Sequence, residues 1–128
     1  MIKQSKDIRV LIADDDRLTR SVLRMILQEA FYRVVAEAAD GERAIEACLM
    51  LRPDVAFIDI DMPKFNGHDV VQRVRDDHPH IKVVMISSLA TLDNVQQAMR
   101  SGANSFVVKP FNAVKVIEAL KNCLKGMH

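Results

Sequence analysis

The chain is predicted to fold as a single doubly wound α/β domain, a (βα)5 unit with one parallel sheet in the strand order 2-1-3-4-5. Three observations carry that expectation. Five short apolar runs recur at similar intervals, the runs are continuous rather than alternating, and each is followed by a segment with helical periodicity or a helix start signal. Continuous apolar runs mark strands covered on both faces, as parallel strands are when helices pack on each side of the sheet. With 128 residues the chain has material for one hydrophobic core and not for two. Residues 1–128 therefore read as one domain, with any output module outside this chain.

The first run, Val10 to Ala13, leads straight into Asp14, Asp15 and Asp16, and the stripe Leu18, Val22, Met25 and Ile26 then marks a helix. Asp16 taken alone reads as the cap of that helix. The second run is Val34 to Ala36, with Asp40 before Gly41 as the next start signal. The third, Val55 to Ile58, runs into Asp59, and Asn66 before Gly67 opens the following helix. The fourth, Val83 to Ile86, ends in Ser87 and Ser88, ahead of Thr91 and Leu92. The fifth, Phe106 to Val108, ends in Lys109 and Pro110; Asn112 then caps a helix with the stripe Ala113, Val116, Ile117, Leu120 and Leu124. Right-handed crossovers place helices on both sides of such a sheet, and the flavodoxin-like order 2-1-3-4-5 is the commonest for five strands.

Bulk properties exclude several function classes. A net charge of +1 and a pI near 7.8 provide no basic surface for direct nucleic-acid binding. No apolar run approaches the roughly 18 residues of a membrane span, and the N-terminus lacks the apolar core of a signal peptide. A soluble cytoplasmic protein is expected. Cys48 and Cys123 lack metal-ligand spacing and read as buried reduced thiols. The seven methionines read as fillers of core gaps. His68, His78 and His80 have no cysteine or helical partner and read as exposed turn residues rather than metal ligands.

The chemistry gathers at the carboxyl ends of the strands, where open α/β sheets bind ligands. Asp14, Asp15 and Asp59 crowd one edge of two strands that lie only about 4.8 Å apart. Carboxylates so placed repel one another and raise each other's pKa unless a cation sits between them. Mg2+ suits one or two carboxylates completed by water and phosphate oxygens, whereas zinc would ask for His or Cys. Ser87 and Lys109 supply a hydroxyl and a compact positive charge at neighbouring strand ends, both suited to phosphoryl oxygens. Each alone reads as an ordinary loop residue; together with the acidic pair they read as a site that neutralises a transferring phosphoryl group. Asp59, on the central strand, is the candidate nucleophile.

These residues sit in segments that resemble one family. ADDDRLTR, PDVAFIDIDMPKFNG, VVMISS and SGANSFVVKPF, with the spacings between them, are similar to response-regulator receiver domains of bacterial two-component signalling, from Arg9 to Leu124. The resemblance implies a phosphorylation-dependent switch rather than an enzyme acting on other molecules. In it Asp14 and Asp15 are the metal pair, Asp59 the phosphoacceptor, Ser87 the switch hydroxyl and Lys109 the active-site lysine. Asp61 lends a backbone carbonyl to Mg2+, Pro63 and Gly67 belong to the loop after the acceptor, and the Lys109–Pro110 bond is cis. Phe106 stands where the family often has tyrosine, keeping an aromatic switch without its hydroxyl. Asp61 and Leu89 occupy variable sites that influence how water reaches the aspartyl phosphate.

The same resemblance implies a sensor histidine kinase or phosphotransfer protein as donor. It also implies an output partner, or a phosphorylation-dependent homodimer, on the face of the fourth helix, fifth strand and fifth helix. Two other classes compete. A haloacid-dehalogenase-like magnesium phosphohydrolase also uses an aspartate nucleophile in a DxD pair, but on its first strand and with its second acidic cluster late in the chain. A flavodoxin-like binding module would need its first loop to cradle a phosphate, which Asp14, Asp15 and Asp16 would repel.

Overall fold

The computed structural model describes residues 4–62, 66–89 and 91–125. After a 3-10 turn at Ser5–Asp7, five strands alternate with five helices: β1 (Arg9–Ala13), α1 (Arg17–Glu29), β2 (Arg33–Ala38), α2 (Gly41–Leu51), β3 (Val55–Asp59), α3 (Gly67–Asp77), β4 (Lys82–Ser87), α4 (Leu92–Arg100), β5 (Ser105–Val108) and α5 (Ala113–Leu124). All strand pairs are parallel and the order is β2-β1-β3-β4-β5, as expected.

Strand residues point alternately to the two faces of the sheet, and both faces are apolar. Leu11, Ala13, Ala56, Ile58, Val83 and Met85 pack against Ala44 and Cys48 of α2, Val70, Val71 and Val74 of α3, and Ala98 of α4. Val10, Ile12, Phe57, Val84, Ile86 and Val107 pack against Leu23, Ile26 and Leu27 of α1 and Val116, Ala119, Leu120 and Cys123 of α5. The three inner strands are buried almost throughout; β2 is partly exposed because it is an edge strand.

Every cap expected from the sequence forms. The side chains of Asp16, Asp40, Asn66, Thr91 and Asn112 accept from the backbone N–H of Leu18, Arg43, His68, Asn94 and Lys115. Each satisfies a donor that the first helical turn leaves unpaired. Asp16 also accepts from the Thr19 hydroxyl at 2.7 Å, and these bonds lower its carboxyl pKa.

Three finer readings need correction. The buried stripe of α1 is Leu23, Ile26 and Leu27, whereas Leu18 and Met25 are 71% and 53% exposed. Of the stripe read from the sequence, Ile26 is buried and Val22 packs partly buried against the core, while Leu18 and Met25 turn outward. Met25, Met50 and Met99 are exposed rather than core fillers; Met62 and Met85 are buried. His68 lies buried in the first turn of α3, not in an exposed turn, and burial lowers its pKa against the opposing fields of Asp69 and Asp61. Its Nδ1 approaches the Ser101 hydroxyl at 3.4 Å, a link between α3 and the end of α4. Cys48 and Cys123 are free and buried, with thiol pKa values pushed up to about 12 chiefly by desolvation.

Candidate functional site

The site lies where β1 and β3 run side by side beneath connections that leave for opposite faces of the sheet. Asp14 follows β1, Asp59 ends β3, Ser87 ends β4 and Lys109 follows β5. The register that pairs Ala13 with Ile58, Asp59 with Ile86 and Ser87 with Val108 brings these residues to one edge.

Lys109 joins the acidic groups. Its Nζ lies 2.9 Å from Asp14 Oδ2 and 3.1 Å from Asp59 Oδ2. Both carboxylates are nearly inaccessible, while the lysine side chain keeps 24% of its surface. Burial pulls the ammonium pKa down, but hydrogen bonding and charge attraction to Asp14 and Asp59 outweigh it and leave it raised. Lys109 is therefore held as a cation. Burial raises the pKa of Asp14, and the Asp59 charge adds to this, against the lowering effects of the Asp16 N–H and Lys109.

The acidic group has the composition a hard cation needs. Asp14, Asp15 and Asp59 each present an oxygen, all within 4.8 Å of one another. Asp14 Oδ1 accepts from the Asp16 N–H at 2.8 Å. Its Oδ2 is buried and, apart from the Lys109 ammonium at 2.9 Å, has no partner among the described residues. A buried carboxylate oxygen with a free lone pair, facing two further carboxylates, fits Mg2+.

The other expected residues fall around this centre. Asp61 is exposed, and its N–H donates to Asp59 Oδ1 at 3.1 Å, folding the turn after β3 over the acceptor carboxylate. Ser87 is fully buried, but its Oγ accepts from the Leu89 N–H at 3.0 Å and is not bonded to Asp59. Phe106 is half-buried against the cluster under α3 and α4. The Lys109–Pro110 peptide is cis, as the resemblance implied. Gly67 begins α3 directly over Ile60. Pro63 lies outside the described residues.

Sequence reasoning missed Arg20, whose Nη1 donates to the Asp14 carbonyl at 2.7 Å. An arginine one turn into a helix has no signature that singles it out. The groove beside Lys109 was also missed: about 420 Å³, largely apolar, lined by Leu18, Val22, Ser88, Pro110 and Phe111.

A family model for the response regulator receiver domain matches residues 10–121. The chain belongs to this family. The receiver domain is 38% identical over 117 residues to the chemotaxis protein CheY of Thermotoga maritima, covering 91% of this chain and 98% of that one. Its fold matches a chain of the CheX–CheY–BeF3–Mg2+ complex from Borrelia burgdorferi with a TM-score of 0.85 and 29% identity, over 94% and 90% of the two chains. It matches the signal receiver domain of NarL from Mycobacterium tuberculosis equally well, at 0.85 and 34% identity over 93% and 97%. This is a receiver domain of two-component signalling, and neither the phosphohydrolase nor the flavodoxin-like binding reading is supported. No helix among the described residues of the receiver domain is long and apolar enough to cross a membrane.

Proposed function

We propose that this receiver domain is a cytoplasmic switch that takes one phosphoryl group on Asp59 from a sensor histidine kinase or a phosphotransfer protein. The observation that carries the reading is the Lys109 ammonium within 3.1 Å of both the Asp14 and Asp59 carboxylates. An Asp59 oxygen attacks the phosphorus, the bond from phosphorus to the donor's nitrogen breaks, and an acyl phosphate forms. Asp14, Asp15, Asp59 and the Asp61 carbonyl would hold Mg2+, which when bound would supply positive charge to the phosphoryl oxygens. Lys109 remains beside the acceptor and pairs with one of those oxygens as its bond to Asp59 is given up.

The presence of BeF3 and Mg2+ in the Borrelia burgdorferi complex supports extending this chemistry to the present chain. The groove beside Lys109, rimmed by exposed Leu18, suits docking of the donor protein, because it delivers an apolar contact next to the acceptor. In the switch, the Ser87 hydroxyl leaves the Leu89 N–H for the phosphoryl group, the end of β4 moves inward, and the Phe106 ring takes the vacated space. Readout falls on the α4-β5-α5 face, where Gln97, Arg100, Lys115 and Lys121 are exposed and suit an output protein or a second copy of the chain. The domain turns over only its own phosphoryl group.

Incubation with acetyl phosphate or phosphoramidate in Mg2+ should add one phosphoryl group to the intact mass, and none in chelator. Asp15→Ala should weaken both Mg2+ binding and uptake. Uptake that proceeds equally in chelator overturns the reading. Leu89, exposed beside the site, offers no polar group to orient an attacking water. Wild-type aspartyl phosphate should therefore outlast that of Leu89→Glu, and equal decay rates would remove Leu89 from control of its lifetime.

A further inference from the structure

Arg20 stands one turn into α1 with only 16% of its side chain exposed. Its Nη1 donates to the Asp14 carbonyl at 2.7 Å, and its Nε donates to Glu37 Oε1 at 3.2 Å. Glu37 lies on the edge strand β2, opposite Ile12 of β1, and its other oxygen accepts from Arg24 Nε at 2.6 Å. The Asp14 N–H donates to the Ala38 carbonyl at 3.0 Å. The peptide flanks of Asp14 are thus tied on one side to β2 directly and on the other to β2 through a guanidinium.

We propose that Arg20 is a positioning residue of the acidic site, which joins the Asp14 carbonyl to Glu37 and so fixes the turn that aims Asp14 and Asp15 at a divalent cation. The proposal rests on Asp14, Asp15 and Asp59 being the Mg2+ site. The physical case turns on sign. A positive charge beside a cation site weakens that site by charge alone. The planar fork of arginine, however, holds two acceptors in fixed directions, which lysine does not reproduce, and Glu37 offsets its charge. Groups that orient metal ligands typically matter about 10- to 100-fold in affinity. Placement therefore outweighs repulsion, and removing the cation should weaken Mg2+ binding.

MgCl2 titration followed by amide NMR shifts tests this on wild type, Arg20→Ala and Arg20→Lys. Arg20→Ala should bind Mg2+ about tenfold more weakly, with its Tm in chelator close to wild type. In chelator the Asp16 amide, which donates to Asp14 Oδ1, should shift and broaden. Arg20→Lys keeps the charge and should also bind more weakly, so its loss reports placement alone and serves where the alanine variant folds poorly. Tighter or unchanged Mg2+ binding in Arg20→Ala, or wild-type binding in Arg20→Lys, overturns the proposal. Absence of Mg2+ binding by the wild type overturns the underlying metal site, and the proposal with it.

Discussion

Gly67→Ala is expected to destabilise the domain by about 3 kcal/mol, the upper end of what overpacking costs, which is on the order of 10 °C in Tm for a domain this size. A Cβ at Gly67 would sit 2.2 Å from the Ile60 Cα and 2.9 Å from the Asp59 carbonyl oxygen. Those neighbours are backbone and cannot turn aside as a side chain would. The Gly67 N–H also donates to the Ile60 carbonyl at 3.1 Å, so relief would break that bond or push the turn after β3 away from Asp59. Phosphoryl uptake should fall together with stability. A Tm within a degree or two of wild type, measured by thermal melting, would show that the loop yields without cost.

Asp14→Asn is expected to move stability and chemistry in opposite directions. Burial raises the pKa of the Asp14 carboxyl in the folded state, so the folded protein holds that proton more tightly than the unfolded chain. Stability is therefore lost as pH rises from the ordinary carboxylate value through the raised folded one. Asparagine removes that charge and keeps an oxygen for the Asp16 N–H. In chelator at neutral pH the variant should melt a few degrees higher than wild type, with the difference fading below the usual carboxylate range. Mg2+ should no longer raise its Tm, and phosphoryl uptake should drop about a hundredfold. A variant that melts lower in chelator would mean that the bridge to Lys109 outweighs the burial of the charge.

The fold was legible because both faces of β1, β3 and β4 are covered, so their sequences are continuous apolar runs, and because all five helices begin on a residue whose side chain accepts from the first turn. The site was legible for a related reason. Parallel strands end at one edge, so residues at the ends of four separate runs converge, and Lys109 touches both Asp14 and Asp59, the latter 50 residues away in sequence. What escaped was whatever depends on which side of a helix faces inward. Met25 was taken for a core filler and His68 for an exposed turn residue, since helical spacing identifies a stripe without saying which stripe meets the sheet. Arg20 and Glu37 escaped because their partners are a backbone carbonyl and a residue on another element, neither of which leaves a pattern in the chain. The steric demand at Gly67 likewise comes from Ile60, seven residues away and across a turn.

Borohydride reduction of the acyl phosphate followed by peptide mapping locates the acceptor. Wild-type protein labelled with acetyl phosphate in Mg2+ should carry a single phosphoryl group, reduction should convert Asp59 and no other aspartate to homoserine, and Asp59→Asn should take up none. Homoserine at position 14, 15 or 61 in the wild type, or uptake by Asp59→Asn equal to wild type, would contradict the assignment.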